Sequence, residues 1–520
     1  MKTIQYLTTF LVSCLALPLS PCTAQFAFLF DWNNPSGGAY SNQFNWSSIS
    51  GGIPDNTSEI ARFQINATYS VQVSADYTVG GLAARQQGNV TMLFDPPGNF
   101  TPRKIYNTGS LNVDPTGGGT VQLALTNGDV RVSGTTTVGG EFSDGTARLV
   151  LTNAVLNTQA AQVGAGNATT SEVTVGPNSQ WTGSGPLDLG VSGDTFFTIQ
   201  ASFGTSCFIF CVTAPRQGLA NHAGVVMAEN SQANASADVF GNWITGDLIV
   251  GDQGSAEVNV LGTQLIAPNG TNVSSVGSLT SASANLGAQP GSSGEVNVAG
   301  FAVIGLTPTG STWNVSAGLA LGGDQSMAGG TGRLAIGPFN SVTVGTDLKM
   351  WPGGTLELEK NGQFSITGTA RLGGKLEFTI SDMSQPQLND MFQILTAGSV
   401  MGNFNSAILP PLPQGQRWDI IYNPTNVMLK VVAGIAGDFD FDGDVDGRDF
   451  LIWQRGGSST PLSSTDLAAW QANYGLPLAA TATTVPEPRA ILLMPSIMAL
   501  LSGRYPAKKR PLTVGQRDVS

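Results

Sequence analysis

Charge is scarce in this chain. Only 11% of its 520 residues are charged, lysine is rare, and the formal net charge is -12. No basic patch interleaved with aromatics stands out, which argues against a nucleic-acid partner. Histidine is almost absent. The single one, His222, lies in NHAG with no carboxylate partner nearby in sequence, and there is no Asp-Asp pair. A catalytic histidine normally leans on a carboxylate, and a lone one in a turn is more often structural. Cysteine is nearly missing too. Two of the four lie in the N-terminal stretch, leaving Cys207 and Cys211 in CFIFC. Disulfides therefore do not hold the chain together. On an extended strand residues four apart are too distant to bridge, whereas a turn would bring them together. A disulfide and two free buried thiols both remain open. No stretch of the long middle sustains a 3.6-residue apolar period, so that region is not helical.

Glycine is abundant instead, with 66 residues. Thr, Ser, Asn and Val are plentiful as well, the composition of many short strands joined by tight turns. From about Val79 to Leu376 one phrase returns: apolar-x-apolar-Gly, a polar turn, then an alternating strand. It reads GDLIVGDQGSAEVNV at 246–260, ANLGAQPGSSGEVNV at 284–298 and GLALGGDQSMAGGTGRLAI at 318–336. Gly251, Gly287 and Gly322 are 36 and 35 residues apart, and tryptophans mark the related phrases QWTGSGPLDLG, NWITGDLIVG and TWNVSAGLALG. Short half-buried strands with glycine corners stack as rungs, each burying its apolar face on the next. The expected fold is all-β: a right-handed parallel β-helix of roughly 20–25 residues per rung. A propeller would need a steadier four-strand period. The acids of this region, Asp188, Asp238, Asp247, Asp252, Glu257 and Glu295, are scattered, recur at repeat turns and read as turn chemistry and solubility.

These Val-Gly phrases, with the opening DWNNPSGGAYSNQFNW and the following IPDNTSEIARF, resemble autotransporter-type passenger repeats and PEP-CTERM-associated surface proteins. The resemblance implies an adhesive or structural role. The organisation expected is a signal peptide at 1–24, an N-terminal cap at 25–79 holding Trp32, Trp46 and Phe63, and β-helix repeats at 80–376. A C-terminal β cap at 377–433 closes the stack, since open rungs expose unpaired backbone. The signal peptide reads from an apolar TTFLVSCLALPLS and small residues before Gln25. A lipoprotein cut at Cys22 would be preceded by an unfavourable Pro21.

Downstream stands GDFDFDGDVDGRDF, with six aspartates within twelve positions. Numbering from Asp438 places Asp440 at position 3, Asp442 at 5, Gly443 at 6, Asp444 at 7, Asp446 at 9 and Asp449 at 12. This is the EF-hand calcium register, in which a hard cation collects six to eight oxygens and glycine permits the sharp turn. Position 7 offers its backbone carbonyl, and position 12 is Asp rather than the usual Glu. The expected cofactor is Ca2+. A helix should run from Asp449 to Arg455, and a second should follow the Ser/Thr before Asp466 and end at Gly475.

One calcium loop, two short helices and an IWQ/AWQ echo resemble a type I dockerin over 437–475. The second half has no calcium loop, whereas the family carries two. The resemblance implies a cohesin-like partner recognised at Gly447 and Arg448. A solvated helix start explains those two residues equally well. After a linker at 476–485, PEPRAILLMPSIMALLSGRYPAKKR at 486–510 resembles a PEP-CTERM sorting signal. That resemblance implies recognition of Pro486, Glu487 and Pro488 by an exosortase-like membrane enzyme. The apolar run is shorter than the roughly 20 residues of a membrane span, and Pro495 interrupts it.

The composite expectation is a secreted, cell-surface or outer-membrane-associated protein, structural or adhesin-like and non-catalytic. It would present a face to a polysaccharide or matrix. The alternative is a β-helical carbohydrate-active enzyme, a polysaccharide lyase or glycoside hydrolase, delivered through the dockerin-like module.

Overall fold

Alternation settles the strands. In TARLVLT, residues 146–152, Ala147, Leu149 and Leu151 point inward and are fully buried, while the residues between them face out. A pleated strand puts successive side chains on opposite faces, so every such phrase has one dry and one wet side. In this computed structural model the described residues are 27–95, 102–140, 143–166, 170–207, 211–266, 272–300, 310–382, 384–413, 415–440, 442–458 and 460–476. They form two units. The first extends through Pro413 and takes in Trp418–Val432; the second comprises Gln414–Arg417 and the chain from Ala433.

The first unit is almost wholly β, with long parallel sheets consistent with a solenoid. Its strands stack in three columns. Asp129–Val132 pairs in parallel with Val155–Thr158, Thr135–Val138 with Ala160–Val163, and Thr146–Thr152 with Thr170–Val175. The same three-part pattern recurs downstream at Thr312–Val315, Leu319–Leu321 and Thr331–Ile336. Within a column like sits over like. Trp181, Ala220, Trp243, Leu279, Trp313, Val342 and Phe364 are successive inward neighbours. The recurring tryptophans therefore belong to one buried column.

Rung length departs from the expected 20–25 residues where hairpins are inserted. Neighbouring strands are 22 residues apart at Ser341 and Gln363, but 39 apart at Thr182 and Asn221. The longer interval contains an antiparallel hairpin, Ala201–Cys207 with Cys211–Gln217. Its backbone register sets Cys207 opposite Cys211, so the segment does turn. A second insertion pairs the end of Ser255–Ile266 with Asn272–Val276.

One corner shows why glycine is periodic. Gly139, Gly164, Gly190, Gly251, Gly287 and Gly322 all have φ between 66° and 75°. This left-handed region costs an L-residue roughly 1–2 kcal/mol. At Gly287 a side chain would also run into the Thr331 carbonyl. Ala228 takes this corner between Gly190 and Gly251, with φ 55°.

The ends are aromatic. Trp32 packs against Trp46 at 5.1 Å and Phe63 at 5.9 Å, beside a buried tyrosine pair, Tyr40 and Tyr106, whose hydroxyls lie 3.0 Å apart. At the other end Met391–Thr396 pairs antiparallel with Asn426–Ala433, and Phe378, Phe392 and Trp418 cluster within 6.1 Å of one another.

His222 is not in a turn. It lies inside the strand Leu219–Met227, facing inward beside Trp181 at 5.1 Å, with 1% exposure. Among the described residues neither ring nitrogen has a hydrogen-bond partner. Burial lowers its pKa from 6.5 to about 3. The acids also depart from expectation. Asp188, Asp238, Asp247, Glu257 and Glu295 lie on strands, and only Asp252 is in a turn. Outward strand positions suit them because adjacent rungs supply partners. Asn259 donates to Asp238 at 3.1 Å, Asn297 to Glu257 at 3.0 Å, and Arg333 pairs with both Glu295 and Glu357.

Two outcomes follow. Ala228→Gly should stabilise the first unit by about 1 kcal/mol, while Gly287→Ala should destabilise it by more than that; chemical unfolding midpoints check both. For His222 the folded pKa lies below the unfolded one, so the unfolded chain takes up the proton first. The stability contribution is complete above about pH 6.5 and is lost as pH falls toward about 3. Because His222 is the sole histidine, His222→Leu should gain on the wild type by about 3 kcal/mol between pH 7.5 and pH 4. Parallel pH profiles of unfolding would contradict this.

Candidate metal centre

In the second unit the aspartate loop is shaped by its own carboxylates. Short Asp side chains bond the backbone two residues on and so make turns. Asp440 accepts from the Asp442 N–H at 3.3 Å, Asp442 from Asp444 at 3.1 Å, and Asp446 from Arg448 at 2.6 Å. Asp438 accepts from the Gly443 N–H at 3.1 Å, and Gly443 sits at φ +99°, where glycine is favoured.

Asp449 ties the loop shut. It is fully buried, and it accepts from Phe439 at 2.6 Å and Asp440 at 3.1 Å through Oδ1 and from Asp446 at 2.7 Å through Oδ2. Helix α1 begins here. It spans Gly447–Gln454, two residues earlier than expected from Asp449, because Asp446 is the N-cap and Asp449 closes a capping box. Gly447 is the first helical residue and exposed. Arg448 is 76% exposed, with its guanidinium 3.7 Å from the Asp442 carboxylate.

The carboxylates converge in two overlapping groups. Oxygens of Asp438, Asp440 and Asp449 lie within 4.8 Å of one another, and so do those of Asp444, Asp446 and Asp449. Asp449 is common to both. Asp442 joins neither group, and Asp444, expected to offer its carbonyl, brings its side chain. Burial first, then the neighbouring Asp449 and Asp442, raises the Asp440 carboxyl above its ordinary range. Desolvation first, then Asp442, Asp446 and Asp449, raises Asp444. Crowded anions thus hold protons more readily here, and a bound cation would reverse that. The donor set is all oxygen, which suits a hard ion such as Ca2+ or Mg2+ and not a thiolate-seeking metal.

Helix α2, Ser464–Asn473, is capped by Ser463, whose hydroxyl accepts from Asp466 at 3.0 Å. The two helices grip each other reciprocally. Trp453 in α1 donates to the carbonyl of Ser463, the α2 cap, at 3.0 Å; Trp470 in α2 donates to the carbonyl of Asp446, the α1 cap, at 2.7 Å. Each indole lies seven residues after the cap of its own helix. The IWQ/AWQ echo is the sequence signal of this exchange. Phe450 fills the gap, 4.8 Å from Trp470. Among the described residues no second acidic loop faces the first; Val445, fully buried, exchanges backbone bonds with Leu476 at 2.7 Å and Gly475 at 2.8 Å.

Elsewhere four of the described carboxyls carry raised pKa values. Asp188 and Asp252 are raised by burial, Glu229 by burial and then by Asp188 and Asp252, and Glu359 by burial and then by Glu357 and Asp382. The signal-peptide segment, the sorting motif Pro486, Glu487 and Pro488, and all but the first residue of the linker expected at 476–485 lie outside the described residues. Comparison of the chain with protein-family models, with curated proteins and with solved structures finds no match.

Asp440→Ala should weaken calcium binding at least tenfold, about 1.4 kcal/mol, as read by calorimetric titration of the full chain. Trp470→Phe should leave one calcium bound but lower the thermal midpoint of the helical signal, since an indole–carbonyl bond is worth about 1 kcal/mol. A calcium titration unchanged by Asp440→Ala would refute the site.

Proposed function

We propose that this chain is a secreted, cell-surface structural or adhesin-like protein without catalytic work of its own. Its β unit is a right-handed parallel β-helix acting as a stiff stalk, and the calcium-organised helix pair is a dockerin-like attachment module. The observation that carries this reading is the parallel pairing of the three columns, interrupted by a register shift between Gly183 and Pro186, which repeats polar outward rows rung after rung over one dry interior. Such a quasi-one-dimensional stack is suited to presenting repeated contacts to a matrix or polysaccharide.

In this reading Ca2+ holds the loop through Asp438, Asp440, Asp444, Asp446 and Asp449, with Asp442 drawn in on binding. Gly447 and Arg448 form the exposed start of α1 offered to a cohesin-like partner. An exosortase-like enzyme would act at Pro486, Glu487 and Pro488. The second reading, a polysaccharide lyase or glycoside hydrolase, draws on the raised carboxyls of Asp188, Glu229 and Asp252.

Cells displaying the chain should adhere to a polysaccharide matrix more than cells lacking it, and the purified chain should turn over none of the matrix sugars. Adhesion that needs residues 437–476, and not the stalk, would contradict the stalk's role. Turnover abolished by Glu229→Gln would establish the enzyme reading instead.

A further inference from the structure

A groove of about 910 Å3 runs across successive rungs of the β unit at the corner between the first and second columns. Its first wall is one outward row: Thr78, Asn107, Arg131, Asn157 and Thr182, each the lateral neighbour of the next. Its second wall carries Ser133, Gln159 and Ser184, two residues further along their rungs and exposed.

Gly80 and Gly109 line the groove, where the rungs approach too closely for a side chain: a Cβ at Gly109 would strike the Gly80 carbonyl. A larger residue there would part the rungs. The lining is polar but uncharged on balance. Arg131 is held by Asp129 at 2.7 Å, Asn157 donates to the same carboxylate at 3.2 Å, and Asn107 donates to Thr78 at 3.3 Å. Among the described residues the side chains of Ser133, Gln159, Thr182 and Ser184 make no hydrogen bond, and each faces solvent at least in part. Val79 and Val132, which also line the groove, are buried at 1% and 4% exposure.

We infer that this groove binds an extended, neutral polysaccharide chain lying along the stack. The inference rests on the adhesive reading above and names its ligand class and its site. Adjacent rungs are spaced by roughly 4.7–4.9 Å, the strand separation of any sheet. That is close to the advance of one pyranose ring in an extended glycan, so each ring can meet one hydroxyl or amide from each wall. A peptide adding to a sheet needs an open edge and apolar pockets; here the backbone bonds of each strand are spent on its neighbours. A polyanion would find only one arginine, already paired, and a polycation would find no net negative charge to attract it.

The test is affinity electrophoresis of the full chain in gels holding hydroxyethyl cellulose, galactomannan, dextran, alginate or chitosan. The wild type should be retarded by at least one neutral polymer. The variant Asn157→Ala/Gln159→Ala/Thr182→Ala should lose at least tenfold in apparent affinity with an unchanged thermal midpoint. Phe196→Ala, in a separate groove beside Asp194, Glu257 and Glu295, should bind as wild type. Undiminished retardation of the triple variant, or loss only in Phe196→Ala, overturns the groove assignment while leaving the adhesive reading standing. Retardation by alginate or chitosan alone, or by no polymer, also overturns it; the adhesive reading is then decided by the cell-display assay.

Discussion

The structure depends on lateral pairing between one turn of chain and the next. A parallel ladder hydrogen-bonds each strand to its equivalent in the neighbouring rung, so each side chain inherits a fixed position above and below. Inward, this stacks Trp181 through Phe364 in one column. Outward, it aligns Asn259 with Asn297 and Glu295 with Arg333. Amides and opposite charges in register satisfy each other, and the low charge of the chain follows: a like-charged row would repel itself at every rung.

This constraint also explains which features could be read from the sequence. The apolar-x-apolar strands, the glycine corner and the marking tryptophans were legible because stacking forces them to repeat. The hairpin at Ala201–Gln217 was not, because an insertion between rungs has no repeat to betray it. His222 reads as a turn residue because its flanking Ala and Gly look like loop residues; in the strand it is Gly183, its neighbour one rung away, that leaves room for the ring beside Trp181. The strand acids were misread for the same reason: a carboxylate facing out of a strand has the same local sequence as one at a turn, and only its neighbour one rung away, such as Asn297 for Glu257, tells them apart.

The aspartate loop shows the converse. That its carboxylates cluster was legible from spacing alone, since turn-forming carboxylates act within a few residues; the place of Asp442 outside both groups and the side chain of Asp444 within one were not. The coupling of α1 to α2 was hidden in the IWQ/AWQ echo, whose meaning appears only when each indole is seen bonding the other helix's cap. That exchange, with the Val445 backbone pair, fixes the two helices against each other and steadies the start of α1, where the loop ends.

The central claim is that the β unit is one continuous stack with a shared dry interior. Native-state amide hydrogen exchange tests it most directly. The account predicts a contiguous protected block over the strands from Phe28 to Ile408, interrupted at the inserted hairpins and yielding from its ends inward. Protected islands that exchange independently along that length would contradict it.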